Sequence, residues 1–299
     1  MSTSADHRAE VKDFLTSRRA RISPAQAGLP AYGGAKRRVA GLRREEVALL
    51  AGVSIDYYVR MERGNLSGTS DSVLNGVASA LQLDEAERDH LFDLARVAQQ
   101  GPVRRRARNT VVTPGIRQLL ESITDAPAWV RNARHDMLAA NRMARALYAP
   151  LLESDPSQQP NTARFVYLDP ASKDFFGDWE RGADDIAAML RSEAGRNPHD
   201  KKLIELIGEL STQSEVFRTR WAAHNVRFHR TGKKRLHHPV VGDLELDFEA
   251  MEFPAHPELT LLVYTAADNT PAADGLKLLA SWAATAEKSG ELRVLQRAV

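Results

Sequence analysis

The sequence predicts an α+β protein, in which an all-α head of five helices precedes a domain that mixes strands with helices. Three observations carry that division. Apolar residues recur three and four apart from residue 10 to residue 95. The pattern then breaks in a stretch rich in Gly, Pro and Arg at 99–115, and apolar and acidic residues alternate at 244–249. The expected boundaries are 1–98 for the helical head, 99–115 for a linker and 116–299 for the mixed domain.

The first helix is expected over Glu10 to Ile22, with Val11, Phe14, Leu15 and Arg18 at helical spacing. An insert from Ser23 to Gly41 follows, carrying Pro24, Pro30, Gly33, Gly34, Lys36, Arg37 and Arg38. Its composition suits a loop that hugs a phosphate backbone and a merely solvated loop equally. A second helix over Arg43 to Ala51 places Val47, Leu50 and Ala51 on one apolar face. Gly52 ends it by tolerating the positive φ needed there, Val53 anchors the turn, and Ser54 is a favoured N-cap for a third helix. In that third helix Tyr58 and Met61 are expected to pack inward. Ser54, Ile55, Asp56, Tyr57 and Arg60 then lie on the outside.

A short helix, a glycine turn and an N-capped successor make the helix-turn-helix that seats its second helix in the major groove of DNA. The partner implied is double-stranded DNA. Arg60 has the fork to read a guanine edge, and Asp56 can accept from cytosine or repel a wrong register. Arg43 and Arg44, at the start of the preceding helix, are placed to clamp phosphate. An ordinary helical hairpin has no need of Ala-Gly-Val-Ser followed by Met-Glu-Arg-Gly at this spacing.

Two more helices complete the head. Asp71 or Ser72 is expected to cap the fourth, which carries Val73, Leu74, Val77, Ala80 and Leu81. Asp84 is expected to cap the fifth, which carries Leu91, Leu94 and Ala95 behind Glu85 and Glu87. The linker then brings Arg104, Arg105, Arg106 and Arg108 together. Residues 1–108 hold 18 Lys and Arg against 13 Asp and Glu, whereas 109–299 hold 23 against 26. The basic half is the half with the helix-turn-helix, as attraction to a polyanion requires.

The mixed domain opens at Pro127 with two short strands joined by a turn around Arg134 to Asp136. Asn141 then caps a helix with Met143, Ala144, Leu147 and Leu151. A strand hairpin leading into a helix is how PAS-type sensor domains begin. Further strands are expected over Lys234 to Val241, Leu244 to Met251 and Leu259 to Ala266. Helices are expected between the strand groups, over Gly182 to Ala194, Pro198 to Leu210 and Ser214 to Asn225. Trp282 belongs to a closing helix.

Composition excludes several classes. The 299 residues are 43% hydrophobic and 27% charged, with no cysteine, so neither a disulfide framework nor a thiolate metal site is possible. No apolar run is long enough to cross a bilayer and no secretory leader is present, so a cytoplasmic protein without a membrane partner is expected. The histidines form no His-Glu-x-x-His element, and neither a Gly-x-Ser-x-Gly elbow nor a phosphate-cradling glycine loop occurs. No metal, no cofactor and no enzymatic activity are therefore expected.

The stretch from Ala51 to Ser54, with Glu62 to Gly64, resembles the Cro/repressor-like (XRE) helix-turn-helix family. That resemblance implies a structural pair between Glu62 and Arg18 or Arg19. More widely, the chain from Phe14 to Tyr264 resembles the MmyB-like regulators. The segments that carry this are Gly41-Leu-Arg-Arg-Glu-Glu-Val-Ala, Val53-Ser-Ile-Asp-Tyr-Tyr, Ala139-Ala-Asn-Arg, Asp178-Trp-Glu, Leu190-Arg-Ser-Glu-Ala-Gly, Glu209-Leu-Ser, Phe217 with Trp221, and His238-Pro-Val-Val-Gly-Asp-Leu-Glu-Leu. The resemblance implies a cytoplasmic transcription factor, usually a homodimer, whose second domain is PAS-like and binds an apolar small molecule such as a fatty acid.

Candidate ligand residues follow from side-chain chemistry. Trp129, Trp179, Phe217, Trp221, Phe228 and Phe248 suit either the lining of an apolar cavity or an ordinary core. Arg191, His224, Arg227 and His238 are the candidate polar anchors. Arg191 or Arg227 suits a ligand carboxylate, and either suits an ion pair with a neighbouring Asp or Glu. A protein whose second domain serves only dimerisation or protein interaction is the alternative.

Overall fold

The computed structural model describes residues 3–29, 39–100, 111–154, 159–227 and 230–289. Within the expected insert, residues 30–38 fall outside the described residues, as do the arginines of the linker, Phe228 and His229. The chain divides into two compact units, which are taken in turn. The first comprises residues 1–106, 191–204 and 220–227, and the second 107–190, 205–219 and 228–299.

In the first unit, helices α1 (Thr3–Arg21), α2 (Arg44–Ala51), α3 (Ile55–Glu62), α4 (Asp71–Ala80) and α5 (Glu85–Gln100) follow one another. Their shared core is built from Val11, Phe14, Leu15, Leu42, Val47, Tyr58, Met61, Leu74, Val77, Leu91 and Leu94, and Val226 joins it. Helix α1 starts at Thr3, well before the expected Glu10. In α2 the buried apolar residues are Val47 and Ala48, while Leu50 is exposed and Leu49 is 72% exposed. The inward face is thus rotated from the one expected to include Leu50.

Local chemistry fixes the ends of these helices. The Glu46 side chain accepts from the Arg43 backbone N–H at 2.6 Å, which secures the start of α2. Gly52 closes it at φ +67°, where a side chain would be strained. Asp84 and Glu87 cap one another reciprocally at the start of α5, at 2.8 and 3.2 Å. For α4 the cap is Ser70, whose Oγ accepts from the Val73 N–H at 3.4 Å, one residue ahead of the Asp71 or Ser72 expected.

In the second unit, strands β1 (Ala128–Asn132), β2 (Met137–Ala140), β3 (Thr231–His238), β4 (Gly242–Phe253) and β5 (His256–Thr265) form one antiparallel sheet in the order β2-β1-β5-β4-β3. Asn132 ties the β1–β2 turn, its Oδ1 accepting from the N–H groups of Arg134 and Asp136. Asn141 is a buried junction. Its Oδ1 accepts from Ala128 and caps the following helix at Ala144, while its Nδ2 donates to Ile123 and Ala126 carbonyls.

Alternation decides the two faces of the sheet. On β4 Leu244, Leu246 and Phe248 are buried, and Glu245, Asp247 and Glu249 are exposed. On the opposite face from Phe248, helix α6 (Pro114–Ser122) packs Ile116 and Leu120 against Val130, Ala139, Leu259 and Leu261. This helix begins inside the stretch expected to be linker, with Thr113 as its N-cap and Pro114 at its first position.

Helices α7 (Arg142–Leu147), α8 (Ala149–Ser154), α9 (Thr162–Leu168), α10 (Ala171–Phe175), α11 (Trp179–Arg196), α12 (Lys201–Gln213) and α13 (Glu215–Ala222) stand between the two strand groups, and α14 (Pro271–Ser289) follows the sheet. The sequence reading names no α9 or α10, and runs α8 together with α7. These helices have five to seven residues each, too few for the apolar period to register.

Candidate DNA interface and ligand-binding residues

Helix α3 is held at both ends. At its start the Ser54 Oγ accepts from the Tyr57 N–H at 3.1 Å. Near its end Glu62, fully buried, takes Arg19 Nε at 2.6 Å on one oxygen and Arg44 Nε on the other. Arg19 also donates to the Leu42 carbonyl at 2.8 Å. Tyr58 and Met61 lie in the core, and burial pushes the Tyr58 hydroxyl well above its ordinary pKa.

The opposite side of α3 is open. Ile55, Asp56 and Arg60 are exposed and Tyr57 is half-buried. The Arg60 guanidinium lies over the Tyr57 ring, 4.5 Å from its centre, which stiffens the longest side chain on this face. Arg43 meets Glu45 at 3.3 Å, and Arg44 carries the bond to Glu62 while half of its side chain stays exposed. A rigid, N-capped helix with an outward Asp and Arg, beside two basic residues at the start of the preceding helix, can enter a groove and hold a backbone.

The candidate ligand residues fall into separate groups. Arg191, Trp221 and His224 come together in the first unit. The Arg191 fork donates to both Glu10 oxygens at 2.6 Å and to the Trp221 carbonyl at 2.5 Å, and its guanidinium stacks 3.9 Å from the Trp221 ring centre. His90 and His224 each approach Glu10 Oε1 at 3.8 Å, and His224 stands 4.0 Å from Asp13. The carboxylate that Arg191 holds is therefore the protein's own. Burial alone pushes the Glu10 carboxyl up, yet His224, His90 and Arg191 outweigh it and hold it far below the usual carboxylate range. Burial holds His90 below its ordinary value.

The remaining candidates make other contacts. Trp129 is buried against Tyr148, with ring centres 5.5 Å apart, and the Tyr148 and Tyr264 hydroxyls share a hydrogen bond of 2.7 Å. Burial, and then each other's presence, pushes Tyr148 well above the ordinary value. Trp179 donates to the Val166 carbonyl at 3.1 Å and to Ser172 Oγ at 3.0 Å. Phe217 packs edge-on against Tyr167 at 4.9 Å. His238 has both ring nitrogens engaged, Nε2 with the Ala146 carbonyl at 3.0 Å and Nδ1 as acceptor from the Val240 and Val241 N–H groups. Arg227 is exposed.

The sequence places Glu10 only as the start of a helix and gives no sign that it and His90 belong to one cluster, because their partners lie 80 to 214 residues away along the chain. Tyr264 carries a readable sign. It falls at the end of an alternating apolar strand, where a polar group on the inward side must find a partner.

Five helices that present a capped, outward-facing α3, together with a separate unit built on an antiparallel sheet, define a DNA-binding regulator of the helix-turn-helix class. A family model of a helix-turn-helix domain matches residues 14–91, and that of the MmyB-like transcription regulator ligand binding domain matches residues 112–279. The chain belongs to the MmyB-like transcription regulators. No curated protein matches it. Among the described residues no helix is long and apolar enough to cross a membrane.

Proposed function

We propose that this chain is a cytoplasmic, homodimeric transcription factor that reads a specific DNA sequence through α3 and responds to a small apolar ligand in its second domain. The observation that carries the DNA half is the division of α3 into a buried side, Tyr58 and Met61, and an exposed side with Asp56 and Arg60. Two chains then set two α3 helices on half-sites about one helical turn apart, so the operator is an imperfect palindrome. Arg60 reads a base edge, and Arg43 and Arg44 hold phosphate through the donors that Glu45 and Glu62 leave over.

The ligand reading rests on the family's sensing domain, and its natural seat is the sheet face that carries Trp129, Phe248 and Tyr264. A fatty acid is the ligand class we favour. Arg191 and His238 are left out of this seat because their polar atoms are already engaged. Ligand binding alters DNA binding only to the extent that it prefers one arrangement of the dimer.

Titrating duplex DNA against the full chain at several salt concentrations tests the first half. Affinity should fall steeply with salt, and Arg43→Ala should lower the slope by about 0.9. Binding that is absent at low ionic strength would remove the reading. For the second half, thermal melts against a panel of fatty acids and metabolites should show stabilisation that grows with ligand concentration. Flat melts across the panel would leave a DNA-binding protein without a sensor.

A further inference from the structure

Helix α3 sets an acid and a base four residues apart on its open side, yet the two do not pair. Asp56 and Arg60 are both exposed, and Asp56 stands in the first turn, N-terminal to the arginine, the order in which such a pair is most favourable on a helix. The Arg60 guanidinium lies instead over the Tyr57 ring, 4.5 Å from its centre. Among the described residues no hydrogen bond or ion pair reaches the Asp56 side chain, and no carboxylate holds Arg60.

The ring decides between the two arrangements. Tyr57 is half-buried and packs against the core of the head, beside the helix face that buries Tyr58 and Met61. A guanidinium that settles on an anchored aromatic face keeps its edge of N–H donors free. An exposed ion pair at this spacing contributes little and occupies that edge. The stack therefore leaves both charges open.

A carboxylate on a face that meets a polyanion is unfavourable unless a base amine answers it. Cytosine N4 and adenine N6 are the amine donors of the major groove, and guanine offers its two acceptors to an arginine fork. Four residues of helix rise about 6 Å, against about 3.4 Å per base pair, so the two side chains address different base pairs of one half-site. We propose that Tyr57 is a positioning residue for sequence reading: by holding Arg60 off Asp56, it keeps the arginine free for a guanine and the aspartate free for an amine-bearing base. The proposal rests on the DNA reading above and adds the residue that keeps its two charged readers apart.

Selecting duplexes with wild type, then measuring the affinity of the full chain for every single-base variant of the enriched site, tests this position by position. Arg60→Ala marks the base pair that Arg60 reads. Tyr57→Leu keeps an apolar group on the core and should lose about fivefold of the discrimination there, the worth of the lost stack and the gained ion pair together. Tyr57→Phe, which keeps the ring, should read like wild type. Adding Asp56→Asn to Tyr57→Leu should recover about twofold of the loss, because the neutral amide no longer captures the guanidinium. Affinity for random duplex at low salt should be equal in wild type and Tyr57→Leu, whose charge is the same, which also shows that the variant is folded. Should Tyr57→Leu not fold, Tyr57→Met replaces it.

Discrimination by folded Tyr57→Leu equal to that of wild type at the Arg60 base pair would overturn the positioning role and leave the DNA reading in place. A loss that Asp56→Asn does not relieve would overturn the competition between the two charges, and the proposal with it. Loss confined to some other base pair would set the Tyr57 ring on DNA directly and overturn it as well. Should wild type enrich no sequence at all, the DNA reading itself falls and takes this proposal with it.

Discussion

The two units handle buried polarity in opposite ways. In the first, charge is answered by charge: Arg191, 2% exposed, is closed by Glu10, and Arg19 and Arg44 both close on Glu62. In the second, the buried inner side of the sheet is aromatic and holds a neutral pair, Tyr148 with Tyr264. The difference teaches how each unit meets the penalty of burying polar groups: closed ion pairs serve the architecture of one, and a hydrogen-bonded pair of neutral hydroxyls serves that of the other.

The strongest way to break this comparison is to remove one half of a closed pair. Glu10→Ala leaves the Arg191 guanidinium buried and uncompensated, and should cost about 3 kcal/mol of stability in urea unfolding. Acid offers a second test with the same origin. Because the folded Glu10 pKa is depressed, its stabilisation is complete above its ordinary value of 4.5 and is lost as pH falls below it. His90 acts earlier, since a histidine buried neutral costs stability as pH falls through its ordinary value of 6.5. Glu10→Gln should therefore flatten the part of the acid limb that lies below pH 4.5.

Alkali should pick out the other unit. Tyr148 and Tyr264 have raised pKa values, so their contribution is complete below pH 10 and is lost above it. Hydrogen exchange followed segment by segment should show residues 3–21 opening first in acid and residues 256–265 opening first in base. The same order at both extremes would erase the contrast. Tyr148→Phe, which strands the Tyr264 hydroxyl, should cost about 1–2 kcal/mol, less than Glu10→Ala. Smallest is Ser54→Ala, which removes the α3 cap and should cost about 1 kcal/mol.

What the sequence discloses follows the same line between local and distant chemistry. Gly52, Ser54, Asp84 and Asn141 are legible because a cap needs a particular residue type within three positions of the group it satisfies. The alternation from Leu244 to Glu249 is legible because a strand with one wet face permits little else. Leu50 misleads, since three-and-four spacing fits two neighbouring faces of an eight-residue helix and packing against α4 chooses Val47 with Ala48. The resemblance puts Glu62 with Arg18 or Arg19. The structure selects Arg19 and adds Arg44, a residue whose position also suits phosphate. Arg191 reads in the sequence as equally fit for a ligand or a neighbour, and only folding brings it to Glu10.

The central claim, that the outward side of α3 reads DNA, is tested most directly by selecting duplexes from a random pool with wild type and with Arg60→Ala. Wild type should enrich an imperfect palindrome. The variant should bind the same site but lose about 1–3 kcal/mol of discrimination at one base pair in each half. Enrichment of no sequence by wild type, or identical discrimination at every position by Arg60→Ala, would contradict the account.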